Sequence, residues 1–168
     1  MAVTLTPLPP MDTQAATAMW AAYAEAHPDD AGEADPSVEA FGDSVELADK
    51  LIELVLHGPK RATAGLVSAY VREGEALPRI GGHWVACDGS GTPRAILRTY
   101  ELRVGPVISV DDAFAWDEGE GDRSRDDWLR AHRDFFTRTC QAAGATYDDS
   151  LEAVFERFRV VWPPDLAD

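Results

Sequence analysis

The sequence is poor in cysteine and lacks several familiar catalytic patterns. Cys87 and Cys140 are the only cysteines among 168 residues. Two distant cysteines with no nearby ligand pattern argue against a disulfide scaffold and against a structural zinc site. A Walker loop and the Ser, His and Asp order of serine hydrolases are absent as well. These absences exclude several common enzyme classes.

Long apolar runs are also missing. The N-terminus carries no such run, so we expect neither a signal peptide nor a membrane span, and we predict a cytoplasmic protein. Hydrophobic residues nevertheless make up 45% of the chain, which is too many for a disordered protein. The length predicts one globular unit with a substantial core.

Basic residues are scarce and unevenly placed. The chain has 15 Lys and Arg against 30 Asp and Glu, a net charge of −15, which disfavours non-specific binding to nucleic-acid phosphates. Residues 1–56 contain 11 acids and one base, whereas residues 57–103 contain 7 bases and 4 acids. This middle segment is expected to attract anionic ligands if its bases share one face. The alternative is that its arginines are scattered over several faces.

Periodicity and capping residues predict an α+β fold. We predict helices over residues 12–27, 44–58, 64–72 and 124–144, a helical turn at 112–116, a hairpin of strands 83–87 and 94–104, and further strands at 107–110 and 154–162. Strands that come late in a chain after helices fit a small sheet or barrel with helices packed outside it. Residues 1–40 are interpreted as an N-terminal arm and a helix packed on a domain formed by residues 41–168.

An acidic loop, WDEGEGD at residues 116–122, is the most unusual segment. Glu118, Glu120 and Asp122 alternate with glycines. Like charges at close range repel and raise one pKa, and glycine lets backbone approach a ligand closely. The loop is therefore predicted to hold a cation such as Mg²⁺ or Mn²⁺, or to keep one carboxylate ready for proton transfer. A solvated loop that caps the next helix is the alternative.

Lys60 and Thr63 form a second candidate group in GPKRAT, residues 58–63. Their spacing lets both side chains reach one pocket. Lys60 could activate the Thr63 hydroxyl as a nucleophile, or it could hold an anion with help from Arg61. The alternative is a cation that satisfies carbonyls at a helix C-terminus.

Other residues are candidates for binding substrate. Tyr70, Trp84 and Trp116 could stack on a base, although core packing is the more common role for any single one of them. His132 lies on the helix that leaves the acidic loop. Arg98 comes from the basic segment.

Several stretches together resemble the ASCH-domain family, in its longer branch with the EGEGD loop. They are FGDSVELAD at residues 41–49, GPKRAT at 58–63, EGEALPRIG at 73–81, FAWDEGEGDRS at 114–124, WLRAHRDFF at 128–136 and FERFRVV at 155–161. The resemblance covers roughly residues 41–162. It implies a PUA-like fold, a small β-barrel with flanking helices around a cleft, and ligands drawn from RNA or nucleosides.

The resemblance implies two activities. Longer family members cleave single-stranded RNA with help from a divalent metal; Lys60 and Arg61 would then grip phosphate, and the acidic loop would hold the metal. Another branch removes acyl groups from N4-acetylcytidine with a Lys, a Thr and a Glu and without a cofactor. Those roles would fall on Lys60, Thr63 and Glu118, with Glu120 as the competitor.

Three hypotheses therefore remain open. The longer architecture favours a metal-assisted ribonuclease acting on single-stranded RNA. The K-x-x-T spacing and the net acidity favour an amidohydrolase acting on a modified nucleoside. The third hypothesis is an RNA-binding module without catalytic activity. A small barrel with hydrophobic helices is also compatible with a homo-oligomer, although no feature of the sequence requires one.

Overall fold

A computed structural model describes residues 4–32 and 34–168. Residues 1–3 of the predicted arm and Glu33 lie outside the described residues. The helices are α1 (Thr13–Ala26), α2 (Pro28–Ala31), α3 (Val45–His57), α4 (Val67–Glu73), α5 (Asp112–Glu118) and α6 (Arg125–Ala142). The strands are β1 (Ser37–Ala40), β2 (Ala62–Leu66), β3 (His83–Cys87), β4 (Pro93–Pro106) and β5 (Glu152–Trp162).

The strands form one mixed sheet in the order β1-β3-β4-β5-β2. Strand β1 runs parallel to β3, whereas β3 with β4 and β2 with β5 are antiparallel pairs. The predicted α+β class with a PUA-like sheet and flanking helices is confirmed. Within the described residues, no helix combines the length and the hydrophobicity needed to span a bilayer.

The chain divides into two compact units. The first unit comprises Met1–Gly58, Gly81–Thr99 and Arg159–Asp168, and the second comprises Pro59–Ile80 and Tyr100–Phe158. In the first unit, α1 buries Ala16 and Tyr23 in one cluster with Val85, Cys87 and Ile96 of the hairpin. The predicted N-terminal helix thus packs on the strands of its own unit.

The second unit has its own core, built from α5, α6, β2 and β5. Ala62, Leu66, Phe114, Trp128 and Phe155 are among its buried members. Side chains alternate along a strand, so Ala62 and Leu66 mark the core face of β2. This core supports the helix and the strand that carry the candidate site.

Helix boundaries follow the capping residues that the sequence shows. The side chains of Asp12, Ser44 and Ser124 accept hydrogen bonds from backbone N–H groups at the starts of α1, α3 and α6. Each such bond satisfies a donor that has no partner inside the helix. The predicted helices at these three places are confirmed, as is the hairpin of β3 and β4.

Two predicted elements are wrong. Residues 107–110 were predicted as a strand, but Val107–Ser109 forms a short 3₁₀ helix, because the Val110 N–H donates back to the Val107 carbonyl. The predicted helix over residues 64–72 begins only at Val67. Its first part belongs to strand β2, which pairs with β5 and directs alternate residues into the core.

Candidate active site

The end of α5 places the acidic loop directly on the backbone of Lys60. Gly119 ends the helix in the left-handed conformation with φ 68°. A Cβ atom at Gly119 would lie 2.7 Å from the Lys60 backbone nitrogen, which no side chain tolerates. The Arg61 N–H also donates to the Asp117 carbonyl at 2.8 Å. Glycine is therefore required here, and the loop and the GPKRAT segment are held together through their backbones.

Lys60 is a buried ammonium group, with 1% of its side chain exposed. Its Nζ donates to the Ala62 carbonyl at 2.8 Å and to Glu120 Oε2 at 2.9 Å. The same nitrogen lies 3.5 Å from Glu118 Oε1. A buried ammonium is tolerated only when acceptors surround it, and two carboxylates and a carbonyl provide them.

Glu118 is the fixed member of the carboxylate pair. Its side chain is 2% exposed, and Trp128 Nε1 donates to its Oε2. His132 Nε2 lies 2.9 Å from Oε1, while His132 Nδ1 lies 2.9 Å from the Trp128 carbonyl oxygen. Because both acceptors face a ring nitrogen, the arrangement favours the doubly protonated imidazolium. The His132 ring also stacks on Trp128, with centroids 3.8 Å apart.

The two glutamates differ in pKa because their surroundings differ. Burial alone would raise the pKa of Glu118, but the charges of His132 and Lys60 outweigh it and hold that pKa below its ordinary value. Burial raises the pKa of Glu120 above its ordinary value, and the nearby Glu118 charge adds to the rise while Lys60 opposes it. Burial by itself would lower the pKa of His132, but the neighbouring Glu118 charge raises it, and the net effect is a raised pKa. These surroundings favour the ionised form of Glu118 and the protonated form of Glu120.

Among the described residues, Glu118, Glu120 and His132 form a group with potential metal-ligand atoms within 4.8 Å of one another. Asp122, predicted with the two glutamates, lies outside this group; its Oδ1 accepts the Ser124 N–H at 2.8 Å. The charged Lys60 Nζ, 2.9 Å from Glu120 Oε2, already occupies the cation position between the carboxylates. A Mg²⁺ or Mn²⁺ ion does not fit there while Lys60 holds that place.

Thr63 lies on β2 and is half-buried. It stands between Ala62 and Ala64, which belong to or pack against the core, so its side chain points to the opposite face of the strand. Its cross-strand neighbour is Glu156, which is buried. Lys60 Nζ has hydrogen-bond acceptors on Ala62, Glu118 and Glu120. Sequence reasoning missed Glu156, which reads as one more charged residue in an alternating strand.

Arg61 and Tyr70 also belong to the second unit. Arg61 is half-buried, and its Nη1 donates to the Lys60 carbonyl at 2.7 Å. The Tyr70 ring lies over Gly65, where an added Cβ would approach it to 3.2 Å. Trp116, on α5, has 57% of its surface exposed. Of the three predicted aromatic residues, Trp116 is the most exposed.

Trp84 and Arg98 belong to the first unit, where each has a structural contact. Trp84 is buried and packs edge-on against Phe41, with ring centroids 4.8 Å apart. Arg98 lies 3.4 Å from Asp30 in an ion pair. Arg94 likewise pairs with two acids, Glu53 and Asp88. Much of the positive charge predicted for the middle segment is therefore neutralised locally.

Trp128 and Arg157 support the site and were not predicted as parts of it. The spacing of Trp128 and His132, four residues apart on a helix, was the available signal, since such residues share a face. Arg157 Nε donates to Asp117 Oδ2 at 2.8 Å and thereby ties β5 to the end of α5. No local pattern indicates that second contact, because its partners are 40 residues apart.

The fold is that of a PUA-like α+β domain, and its second unit contains a buried centre of Lys60 with Glu118 and Glu120. A sequence model of the ASCH domain matches residues 37–162. The chain belongs to the ASCH-domain family, whose PUA-like members are generally RNA-binding. The match begins after α1 and α2, and it includes every residue of the candidate site.

Two solved structures are similar to this chain. An ASCH domain from Lactobacillus crispatus JV V101 is 29% identical, with a TM-score of 0.80, over 90% of this chain and 96% of that one. A protein from Enterococcus faecalis V583 is also 29% identical, with a TM-score of 0.80, over 89% of each chain. A comparison with curated proteins gives no match.

Proposed function

We propose that this protein is an amidohydrolase that removes an acyl group from the exocyclic nitrogen of a modified cytidine, with Glu120 as the proton-transfer residue. The observation that carries the proposal is the pair of unequal glutamates on one buried lysine. Each carboxylate oxygen of Glu118 has a hydrogen-bond partner, Trp128 or His132. Glu120 contacts Lys60, and 25% of its side chain is exposed. An acid with a raised pKa and access to solvent suits general acid–base catalysis near neutral pH.

The proposed chemistry needs one proton acceptor that later becomes a donor. Glu120 takes a proton from the attacking hydroxyl, either of water or of Thr63, as that oxygen bonds to the acyl carbon. It returns the proton to the amide nitrogen as the bond between that nitrogen and the acyl carbon breaks. Lys60 orients Glu120 at 2.9 Å and compensates its charge whenever it is ionised. A Thr63 nucleophile would form an acyl ester that water then cleaves.

The metal-assisted ribonuclease is the second candidate, favoured by the close approach of Glu118, Glu120 and His132. Two observations weigh against it. Lys60 is buried among carboxylates and cannot grip a phosphate of RNA in this arrangement. The net charge of −15 also opposes the approach of a polyanion. RNA binding without catalysis remains the outcome if neither activity is found.

The test measures two products from the purified protein, each with EDTA and with added Mn²⁺. N4-acetylcytidine is expected to release cytidine and acetate at the same rate in both conditions. Fragments of single-stranded RNA that form only with Mn²⁺, without cytidine release, would overturn the proposal and support the ribonuclease.

Matched variants on the same loop assign the residue. Glu120→Gln should lower kcat by roughly 10²–10⁴-fold, the usual contribution of a positioned acid–base group. Asp122→Asn is the control, because that carboxylate accepts the backbone N–H of Ser124, which precedes the next helix; the rate of this variant should stay near that of the wild type. Equal rates for the two variants would show that Glu120 does not transfer the proton.

A further inference from the structure

One exposed aromatic residue, on the helix that ends at Glu118, is covered by an arginine in an unusual conformation. The Arg123 guanidinium lies 3.7 Å from the centroid of the Trp116 ring. Its Nε donates to the Trp116 carbonyl at 2.8 Å. Trp116 lies on α5 two residues before Glu118, and Arg123 lies three residues after Glu120, so in the sequence this pair flanks the two glutamates.

Arg123 is held in a conformation that costs energy. Its φ is 64°, and among the described residues it is the non-glycine residue with positive φ. The left-handed region disfavours a side chain with a Cβ by about 1–2 kcal/mol. Such strain tends to occur at binding and catalytic sites, where the surrounding structure maintains it. Here it places a guanidinium flat on an indole.

The acids around Arg123 have other partners. Asp117 binds Arg157, Asp122 accepts from the Ser124 N–H, and Asp127 pairs with Arg130. Glu120 pairs with Lys60. Within the described part of the chain, the Arg123 side chain uses its Nε and its planar face, and its two Nη groups make no ion pair. A stacked guanidinium that keeps its Nη edge can bind a phosphate through two parallel hydrogen bonds.

From this geometry we propose that Trp116 and Arg123 form a nucleotide-recognition platform, in which the indole stacks on a base and the guanidinium binds a phosphate. The inference rests on the proposed function for its location and deepens it. The substrate class becomes a phosphate-bearing acylated cytidine, a mononucleotide or the end of an RNA strand, in place of the free nucleoside. A single phosphate can be bound by one arginine, so recognition of a mononucleotide does not require the extended basic surface that a long RNA would.

The experiment measures binding without hydrolysis, so that it is independent of the catalytic proposal. Cytidine, cytidine 5′-monophosphate and inorganic phosphate are titrated into the protein, and affinity is followed by calorimetry. Tryptophan fluorescence in the wild type and in Trp116→Phe reports stacking. We expect the monophosphate to bind roughly tenfold or more tightly than cytidine, as one charge-assisted hydrogen-bonded contact predicts. Inorganic phosphate alone should bind more weakly than the monophosphate, because it lacks the stacked base.

Two variants at one position separate recognition from loop structure. Arg123→Gly removes the guanidinium and suits the left-handed backbone, while Arg123→Lys keeps the charge and the strain but loses the planar fork. Both variants should reduce the ratio of monophosphate to cytidine affinity. The reduction should be larger in Arg123→Gly, because that variant loses the charge as well as the planar fork. Arg138→Lys is the matched control, since Arg138 also lies over a ring, that of Phe135, at 5.7 Å; its ratio should equal that of the wild type.

The outcomes distinguish the two proposals. Equal affinity of the wild type for cytidine and the monophosphate, or an unchanged ratio in Arg123→Gly, would overturn the platform. A phosphate preference that Arg123→Gly abolishes, in a protein that hydrolyses no acylated cytidine, would uphold the platform and reject the amidohydrolase.

Discussion

Each unit of the molecule contains a histidine beside a tryptophan, but the two histidines have different polar neighbours. In the first unit, His83 Nε2 lies 3.2 Å from the Tyr23 hydroxyl, and its ring lies 5.1 Å from that of Trp20. In the second unit, His132 stacks on Trp128 and faces the Glu118 carboxylate at 2.9 Å. A hydroxyl can donate or accept, whereas a carboxylate only accepts. The second centre is therefore charged, because it contains the Glu118 carboxylate and the Lys60 ammonium group paired with it.

Removing the lysine should have the largest effect. Lys60→Met removes the cation paired with Glu120 and leaves Glu118 with His132 as its remaining positive partner, and it should lower the free energy of unfolding by about 3–5 kcal/mol, with loss of activity. Tyr23→Phe in the first unit removes one hydroxyl contact and should cost about 0.5–1.5 kcal/mol. Urea denaturation measures both. Comparable losses in the two variants would show that the charged centre contributes no more to stability than the aromatic one.

Disturbing the backbone under the lysine should come next. Gly119→Ala places a side chain in the left-handed backbone region, which should lower the free energy of unfolding by about 1–2 kcal/mol. The added methyl group also meets the Lys60 backbone, which should cost about 1–3 kcal/mol more. Gly144→Ala provides the control, since Gly144 has φ 70° but nothing within 4 Å of an added Cβ. Thermal melting should show the larger fall for Gly119→Ala. Equal melting temperatures for Gly119→Ala and Gly144→Ala would show that an added methyl group at residue 119 does not clash with Lys60.

The pH dependence of stability sharpens the comparison further. The folded pKa of His132 is raised above its unfolded value of 6.5, so its stabilisation is fully present below pH 6.5 and is lost as the pH rises through the folded pKa. The folded pKa of Glu118 is lowered from 4.5, so its contribution is present above that value and is lost as the pH falls through the folded pKa. His132→Gln should flatten the alkaline fall in melting temperature, and an unaltered slope would show that His132 is not the titrating group.

The smallest effect is expected at the surface of the first unit. Arg98, predicted as a substrate-binding residue, pairs with Asp30 while both side chains are substantially exposed. Arg98→Ala should change stability by about 0.5 kcal/mol or less, because solvent screens such pairs. Its hydrolytic rate should match that of the wild type. A large rise in KM would restore Arg98 to the binding site.

The elements with local signals were predictable from the sequence. Asp12, Ser44 and Ser124 marked helix starts because a capping side chain acts within three residues, and the hairpin was marked by its turn. Strand β1 was not predicted: it has four residues and forms only through parallel pairing with β3. Residues 64–66 of strand β2 were predicted as the start of a helix, because the partner strand β5 lies far along the chain.

The candidate site was partly predictable for the same reason. The spacing and chemistry of Lys60, Glu118 and Glu120 selected the residues that the structure brings into contact. Which glutamate is buried could not be predicted, since that depends on Trp128 and His132 being on the facing side of α6. Asp122 resembles the other two acids in sequence, yet its side chain accepts the backbone N–H of Ser124, the residue that caps α6. The catalytic role of Thr63 stays a prediction.

The most direct test of the account is a carbon-13 NMR titration of the side-chain carboxylates of Glu118 and Glu120, assigned with Glu→Gln variants. We expect Glu120 to titrate above its ordinary pKa of 4.5 and Glu118 to titrate below it. Lys60 would then contact one glutamate that exchanges a proton and one that stays ionised. Two glutamates titrating together near 4.5, or in the reverse order, would contradict it.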